Sequence, residues 1–248
     1  MIFDEKFEYR MLRDDTIEIT KYVGEDESVV IPDKIDGHTV TNIGDGAFED
    51  NNKIKDVVIP NTVNRIGDAA FLKCTSLKSI NIPEGMKTID ICTFGCCESL
   101  TNIKLPNSLI CIKFAAFENC SGLENIQIPQ NVKIIGKSAF KGCKSLSKVT
   151  MGNEIISIDD NTFKDCESLK HIKLPPHLVE IECSTFENCS SLKKITIPNS
   201  VQFIGRSAFA NCVSLKYVKM GKNVQDIGYS AFENCESLKS VTVPGCTL

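Results

Sequence analysis

The chain has 248 residues, 42% of them apolar and 24% charged, with a formal net charge of −4. This balance gives room for a large core, excludes wholesale disorder, and supplies no global attraction to nucleic acid or membrane. Three histidines, no tryptophan and 13 cysteines favour a scaffold over a hydrolytic or metal enzyme, and the chain is long for a disulfide framework.

The N-terminus, MIFDEKFEYRMLR, lacks a basic start followed by an apolar run of signal-peptide length. The expectation is a cytoplasmic chain as written, or a surface or secreted one if a leader has been removed. Every hydrophobic run is cut short by Pro, Gly or Lys, well below the ~18 residues of a membrane span, so no membrane insertion is expected. Phe7 to Met11 and Thr16 to Ile19 alternate apolar with polar around Arg13-Asp14-Asp15, which predicts a β-hairpin. A partial unit follows, Val29-Val30-Ile31-Pro32 then Val40 and Ile43, with Asp36-Gly37-His38 inserted as a surface loop. Residues 1–40 are therefore expected to cap the repeats of residues 41–248, all in one continuous domain.

Phenylalanine then recurs at Phe48, Phe71, Phe94, Phe117, Phe140, Phe163, Phe186, Phe209 and Phe232, always 23 residues apart. Three residues after each stands Asn51 in the first copy and Cys74, Cys97, Cys120, Cys143, Cys166, Cys189, Cys212 and Cys235 in the next eight. Leu follows three further on in those eight copies, then two aliphatics in alternation with polar residues, as in Ile80-Asn81-Ile82. That alternation predicts one short parallel strand per copy with one buried face. Proline ends the strand, with Gly152 and Gly221 as turn residues in its place in two copies. Phe and Cys three apart, as in Ala139-Phe140-Lys141-Gly142-Cys143, predict a single helical turn on the opposite edge. A period in the 20s built on L-x-x-L-x-L is a leucine-rich repeat pattern, whose units cannot bury their apolar sides alone. The expected fold is thus an α/β solenoid, a right-handed stack of nine 23-residue repeats with a concave parallel β-sheet. After Val241-Thr242-Val243-Pro244 only four residues follow, which predicts an uncapped, blunt last coil.

Units such as Cys189-Ser190-Ser191-Leu192-Lys193-Lys194-Ile195-Thr196-Ile197-Pro198, with Val201, Ile204-Gly205 and Ala208-Phe209 following, resemble the BspA-type (bacterial surface antigen) leucine-rich repeats. The resemblance runs from about Thr39 to Val243. It implies a protein-binding solenoid, often on a cell surface and sometimes adhesive, without enzymatic activity.

The residues themselves offer little catalytic chemistry. Stacked column cysteines would point their side chains in parallel, which does not suit disulfides, and no C-x-x-C pair or nearby histidine makes a zinc site. The column reads as a buried ladder of thiols, and no metal or other cofactor is expected. Cys92, Cys96, Cys111, Cys183 and Cys246 are the cysteines from which a reactive thiol would come. His38, His171 and His177 are bracketed by no nucleophile in recognisable spacing, and no phosphate-binding loop is present.

Charge placement is more informative. The outward strand positions, seven, eight and ten after each Phe, hold eleven lysines against Asp56 and Glu124, which leaves 17 basic and 30 acidic residues elsewhere. The lysines concentrate late in the chain: Lys170, His171, Lys173, Lys193, Lys194, Lys216, Lys219 and Lys239, with Tyr217 as the aromatic among them. A second feature is lateral. Ile91 and Phe114 replace the Asp68 of an earlier unit, and Ile110 replaces Asn64, giving an apolar patch unless Phe114 buries itself in its own coil. The leading expectation is a non-enzymatic scaffold that binds an acidic protein on the sheet, with self-association through the lateral patch or the blunt end. The alternatives are a polyanion binder for nucleic acid or acidic glycan, with nucleic acid the less favoured, and a passive spacer.

Overall fold

A constant 23-residue period sets each backbone group of one coil against its counterpart in the next. The computed structural model describes residues 2, 3, 5–239 and 241. Within them, three sides of each coil hydrogen-bond to the neighbouring coils.

The first side is the strand expected from the alternation. Asp56–Val58, Asn125–Gln127, Lys148–Thr150 and Lys194–Thr196 each bury their middle residue and expose the flanking two. Pairing is parallel and in register, running Asn102, Asn125, Lys148, His171, Lys194, Tyr217 from coil to coil. The prolines that end these strands open a turn: the Pro60 carbonyl accepts from Val63 N at 3.1 Å. The glycines that replace proline owe their place to crowding rather than to turn geometry. A Cβ on Gly221 would lie 2.1 Å from the Pro198 carbonyl oxygen, and one on Gly152 would lie 2.5 Å from Gln130 Cα.

The second side is a ladder the sequence did not announce. Arg65–Ile66, Thr88–Ile89, Cys111–Ile112, Ile134–Ile135, Ser157–Ile158, Glu180–Ile181, Phe203–Ile204 and Asp226–Ile227 are two-residue strands. They pair in parallel as Thr88 with Cys111, Ile134 and Ser157, and as Glu180 with Phe203 and Asp226. Each turns its first residue outward and its Ile inward, fully buried in all but the last, where Ile227 is half-buried.

The third side corrects the α component of the expected α/β solenoid, since no helix occurs among the described residues. The segment expected as a helical turn is two successive i to i+3 turns, Gly136 to Ala139 and Phe140 to Cys143. Their third residues, Ser138 and Gly142, have φ of 57° and 72°. Positive φ at the third position belongs to type II turns and stops an α-helix from forming. Every coil repeats this pair of left-handed residues, two before and two after its Phe, for example Asn188 and Ser184 around Phe186. The amides of these turns donate across coils, Phe48 N to Ala70 O at 2.8 Å and Asp50 N to Leu72 O at 2.9 Å.

The three ladders enclose a continuous apolar core. The Phe rings stack from Phe48 to Phe232 with centroids 4.8–5.7 Å apart and planes within 17° of parallel. Such offset stacks add about 0.5–1.5 kcal/mol per pair beyond simple burial.

The cap continues this column. β1 (Ile2–Phe3), β2 (Phe7–Met11) and β3 (Ile17–Tyr22) form an antiparallel sheet, which contains the expected hairpin. Tyr22 stacks on Phe48 at 5.3 Å, and Phe7 packs on Tyr22 at 5.4 Å. β4 (Ser28–Val30) pairs with Asp56–Val58, as its half-repeat pattern predicts. The inserted loop is a tight hairpin between β5 (Lys34–Ile35) and β6 (His38–Ile43), with Asp36 and Gly37 both at positive φ. β6 pairs with β3 on one side and with Arg65–Ile66 on the other, which joins cap to repeats. Glu18, buried in that joint, accepts from Arg10 at 2.6 Å and lies 3.5 Å from Arg65, so its charge is compensated across the junction. The strand expected at 241–243 and the blunt end lie, apart from residue 241, outside the described residues, as does Cys246.

Because each coil touches mainly its neighbours, Phe140→Ala should destabilise the protein by roughly 3–5 kcal/mol and loosen the adjoining coils. Urea denaturation checks this; an unchanged midpoint would contradict the buried column.

Candidate ligand-binding surfaces

The first ladder converts sequence period into a two-dimensional lattice of side chains. Residues seven after each Phe form one column, Lys170, Lys193, Lys216 and Lys239, all exposed. Their backbones are joined directly, Lys193 N to Lys170 O at 3.2 Å and Lys216 N to Lys193 O at 2.9 Å. The adjacent column reads Lys148, His171, Lys194, Tyr217 in register. A third holds Lys173, Thr196 and Lys219. Neighbours within a column stand ~4.8 Å apart at the backbone. At that spacing two solvated ammonium groups repel by on the order of 1 kcal/mol, so the lattice carries a standing electrostatic cost.

The cost is not relieved within the molecule. Among the described residues, Lys170, Lys173, Lys193, Lys194, Lys216, Lys219 and Lys239 enter no salt bridge, whereas several lysines on the other faces do. Lys141 binds Glu118 at 2.9 Å, Lys164 binds Glu187 at 2.8 Å, and Lys113 binds Asp90 at 2.7 Å. The structure thus brings all nine expected binding residues onto one face. Tyr217 stands 72% exposed among them.

Two clefts lie where the strands meet the proline turns. One, of about 740 Å³, is lined by His171, Lys173, Lys194, Thr196, Lys219 and Lys222. Pro176, Asn199 and Lys222 in its wall were not singled out by sequence, because they sit in the turn beyond the alternating positions. The second, of about 760 Å³, is lined by Asn102, Lys104, Asn125, Gln127, Lys148 and Thr150. It is the amide-rich counterpart of the cationic cleft.

The lateral residues also fall on the surface. Ile91, Ile110 and Phe114 are 39%, 42% and 43% exposed. Phe114 is therefore not folded into its own coil. Where Asp68 occupies the position of Ile91, its Oδ1 accepts from the Ile91 amide of the next coil at 3.0 Å. Ile91 and Phe114 have no such acceptor to offer, so each forfeits a bond between coils in exchange for apolar surface.

The cysteine column belongs to the core. Each thiol donates to the carbonyl of the preceding coil's Phe, for example Cys143 Sγ to Phe117 O and Cys166 Sγ to Phe140 O, both at 3.2 Å. Asn51 instead acts within its own coil, its amide oxygen accepting from Lys53 N at 3.0 Å and Ile54 N at 3.1 Å. Burial pushes the Cys74 and Cys120 thiols up to about 12 and the Cys97, Cys143 and Cys166 thiols well above their ordinary value. Burial raises the more accessible Cys92 and Cys111 as well. A nucleophile needs the opposite shift.

A family model described as the BspA type leucine rich repeat region matches in six copies, over residues 41–170 and 133–247. The chain belongs to this family. No curated protein matches it significantly. Among solved structures it is similar to a leucine rich cell surface protein from Faecalibacterium prausnitzii A2-165, with 27% identity, 98% of this chain and 82% of that one covered, and a TM-score of 0.67. A leucine-rich repeat protein from Bacteroides ovatus matches at 26% identity, with the same coverages and a TM-score of 0.66. The T. pallidum leucine rich repeat protein matches at 29% identity, with 86% and 90% of the two chains covered and a TM-score of 0.65. No helix among the described residues is long and apolar enough to cross a membrane.

The buried thiols make a pH prediction for this BspA-type solenoid. Unfolded thiols ionise near 9, whereas burial holds Cys235 at about 11 and Cys74 and Cys120 at about 12. A group whose pKa is raised by folding contributes stability below its unfolded value and loses it as pH climbs towards the folded value. Stability should therefore begin to fall near pH 9 and continue falling towards pH 12. Urea midpoints measured from pH 7 upward should show this decline, and Cys143→Ser with Cys166→Ser should make it shallower. A profile identical in the two proteins would refute it. Reductant should leave the melting temperature unchanged.

Proposed function

We propose that this chain is a non-enzymatic binding scaffold whose ligand is an acidic protein surface, held on the lysine lattice of the C-terminal coils. In this reading the sheet is the concave face of a right-handed solenoid, residues 1–40 cap one end, and residues 41–248 carry the ligand face within one continuous domain. One observation carries the reading: seven exposed lysines crowd the first-ladder face of the C-terminal coils, and none of them has an acidic partner among the described residues. Exposed, self-repelling charge at fixed spacing favours a ligand with carboxylates in rows, and Tyr217 supplies a stacking or packing surface beside them. The cationic cleft around His171, Lys194 and Lys219 would take the deepest-reaching side chain. Membership of the BspA-type family supports a scaffold role. The description of a similar structure as a cell surface protein supports an adhesin-like setting outside the cell.

The rival occupant is a flexible polyanion such as an acidic glycan or a nucleic acid strand. Counterion release makes such binding fall steeply with salt, whereas a shaped protein contact retains much of its affinity.

The test compares two charge reversals. With a Glu/Asp-rich peptide as probe, Lys193→Glu with Lys194→Glu should weaken binding about ten-fold or more, against about two-fold or less for Lys78→Glu with Lys104→Glu. Melting temperatures should stay level, since all four lysines are exposed. Equal losses from the two pairs would reduce the lattice to general solubility. Stronger, salt-steep binding of heparin than of the peptide would favour the polyanion instead.

A further inference from the structure

The second ladder carries an apolar stripe of its own. Ile134 and Phe203 within the two-residue strands, and Ile110, Ile156 and Val179 immediately before theirs, place one large hydrophobic side chain per coil on the outside of five successive coils, each between 39% and 54% exposed. Each sits beside a buried neighbour on the same two-residue turn of chain. The stripe has no covering element among the described residues.

What flanks the stripe differs at its two ends. Lys87 lies one coil before it, and Lys133 beside Ile134. Glu180 lies beside Val179, and Asp226 one coil after Phe203. None of these four enters a salt bridge among the described residues, and all four are exposed. The stripe is therefore basic towards the N-terminal end and acidic towards the C-terminal end, with Ile156 at its centre.

We propose that this face is covered by a second copy of the chain, packed antiparallel about a two-fold axis through the Ile156 coil. Counting coils outward from that centre sets the pattern against itself. Ile156 meets Ile156 of the partner. The Lys133–Ile134 coil meets the Val179–Glu180 coil, and the Ile110 coil meets the Phe203 coil. The Lys87 coil meets the Asp226 coil. Both charge pairs come out opposite in sign, and between them every coil brings an apolar residue to a coil that also carries one, directly at Ile156 and one position apart in the other two pairs. A closed isologous contact requires this kind of self-complementarity.

Two further features fit the same reversal. Phe203 comes over the coil of Ile110, beside a cleft of about 450 Å³ whose lining includes Lys87, Ser108, Ile110, Lys133 and, from the Ile156 coil, Glu154, which gives an aromatic anchor a recess. In the neighbouring outward column Ile91 comes opposite Tyr229, and Phe114 comes opposite Arg206, pairing apolar with aromatic and ring with guanidinium. Asp160, on the axis, is accompanied by Lys137 at 3.8 Å in its own chain. From the Lys87 coil to the Asp226 coil there are six steps of ~4.8 Å, about 29 Å in all. A contact of that length belongs to the small class of specific interfaces, for which we expect a dissociation constant on the order of micromolar. The dimer leaves the lysine lattice of the other ladder outside the contact, so the two proposals stand or fall separately.

Sedimentation equilibrium from about 1 to 100 µM tests the arrangement. The wild-type chain should approach twice its 27.4 kDa mass at the upper concentrations. Ile156→Glu, which opposes two carboxylates on the axis, should be monomeric throughout. Lys133→Glu and Glu180→Lys should each raise the dissociation constant about ten-fold or more, and the double variant should return it to near the wild-type value, because residues 133 and 180 stand in facing coils only one position apart. Both positions are exposed, and matched circular-dichroism melts confirm that the variants fold. A wild-type chain that stays monomeric at about 100 µM would overturn the proposal, as would a double variant no tighter than the singles.

Discussion

The whole molecule depends on the bond between one coil and the next. A 23-residue unit closed on itself buries too little and leaves its backbone polar groups on three sides without partners. Stacking supplies those partners at once, through the first strand, the second strand and the turn side. An insertion of one residue anywhere in a coil would displace the chain on all three ladders together. That explains why nine Phe residues keep an unbroken interval while the outward positions between them vary from Lys to Ile to Asp. The Phe stack and the thiol-to-carbonyl bonds are inside expressions of the same register: each makes a side chain, as well as the backbone, answer to its counterpart one coil away.

Where a side chain repeated in every copy and had a buried role, the fold was legible from sequence. The Phe, Cys and Leu columns and the ladder that begins eight residues after each Phe from Phe48 to Phe209 fall into this class, as does the hairpin whose Phe7 and Tyr22 prolong the ring stack. The second ladder was not legible, because two residues are too few to display alternation. Its outward column also reads Arg65, Thr88, Cys111, Ile134, Ser157, Glu180, Phe203 and Asp226, which share no chemistry. The turn side misled for a different reason. A spacing of three between Phe and Cys belongs equally to a helix and to a tight turn. The better signal lay on either side of each Phe, where Asp50, Asn119, Asp165, Asn188, Asn211 and Asn234 are residue types that tolerate the left-handed region, although Ala69 and Lys73 show that the register imposes that conformation on others too.

The surfaces divide in the same way. The lysine lattice could be drawn from sequence because the alternating strand tells outward from inward, and the column seven after each Phe, whose direction alternation leaves open, proves exposed from Lys78 onward. The apolar stripe was caught only at Ile110, where it contrasted with a polar equivalent. Ile134, Ile156, Val179 and Phe203 each stand next to a buried aliphatic and read as core until the backbone separates the two directions. Two exposed faces of opposite character thus share a single core, and neither draws on the residues that hold it together.

That separation gives the fold a particular kind of adaptability. Because the outward columns take no part in register, duplicating or deleting one 23-residue unit leaves every remaining coil folded as before and moves the coils on either side of it by a single ~4.8 Å step. Gene-level changes in copy number therefore act as a ruler. They lengthen a row of charges, or shift the centre of a two-fold contact by half a step, without any new core having to be evolved.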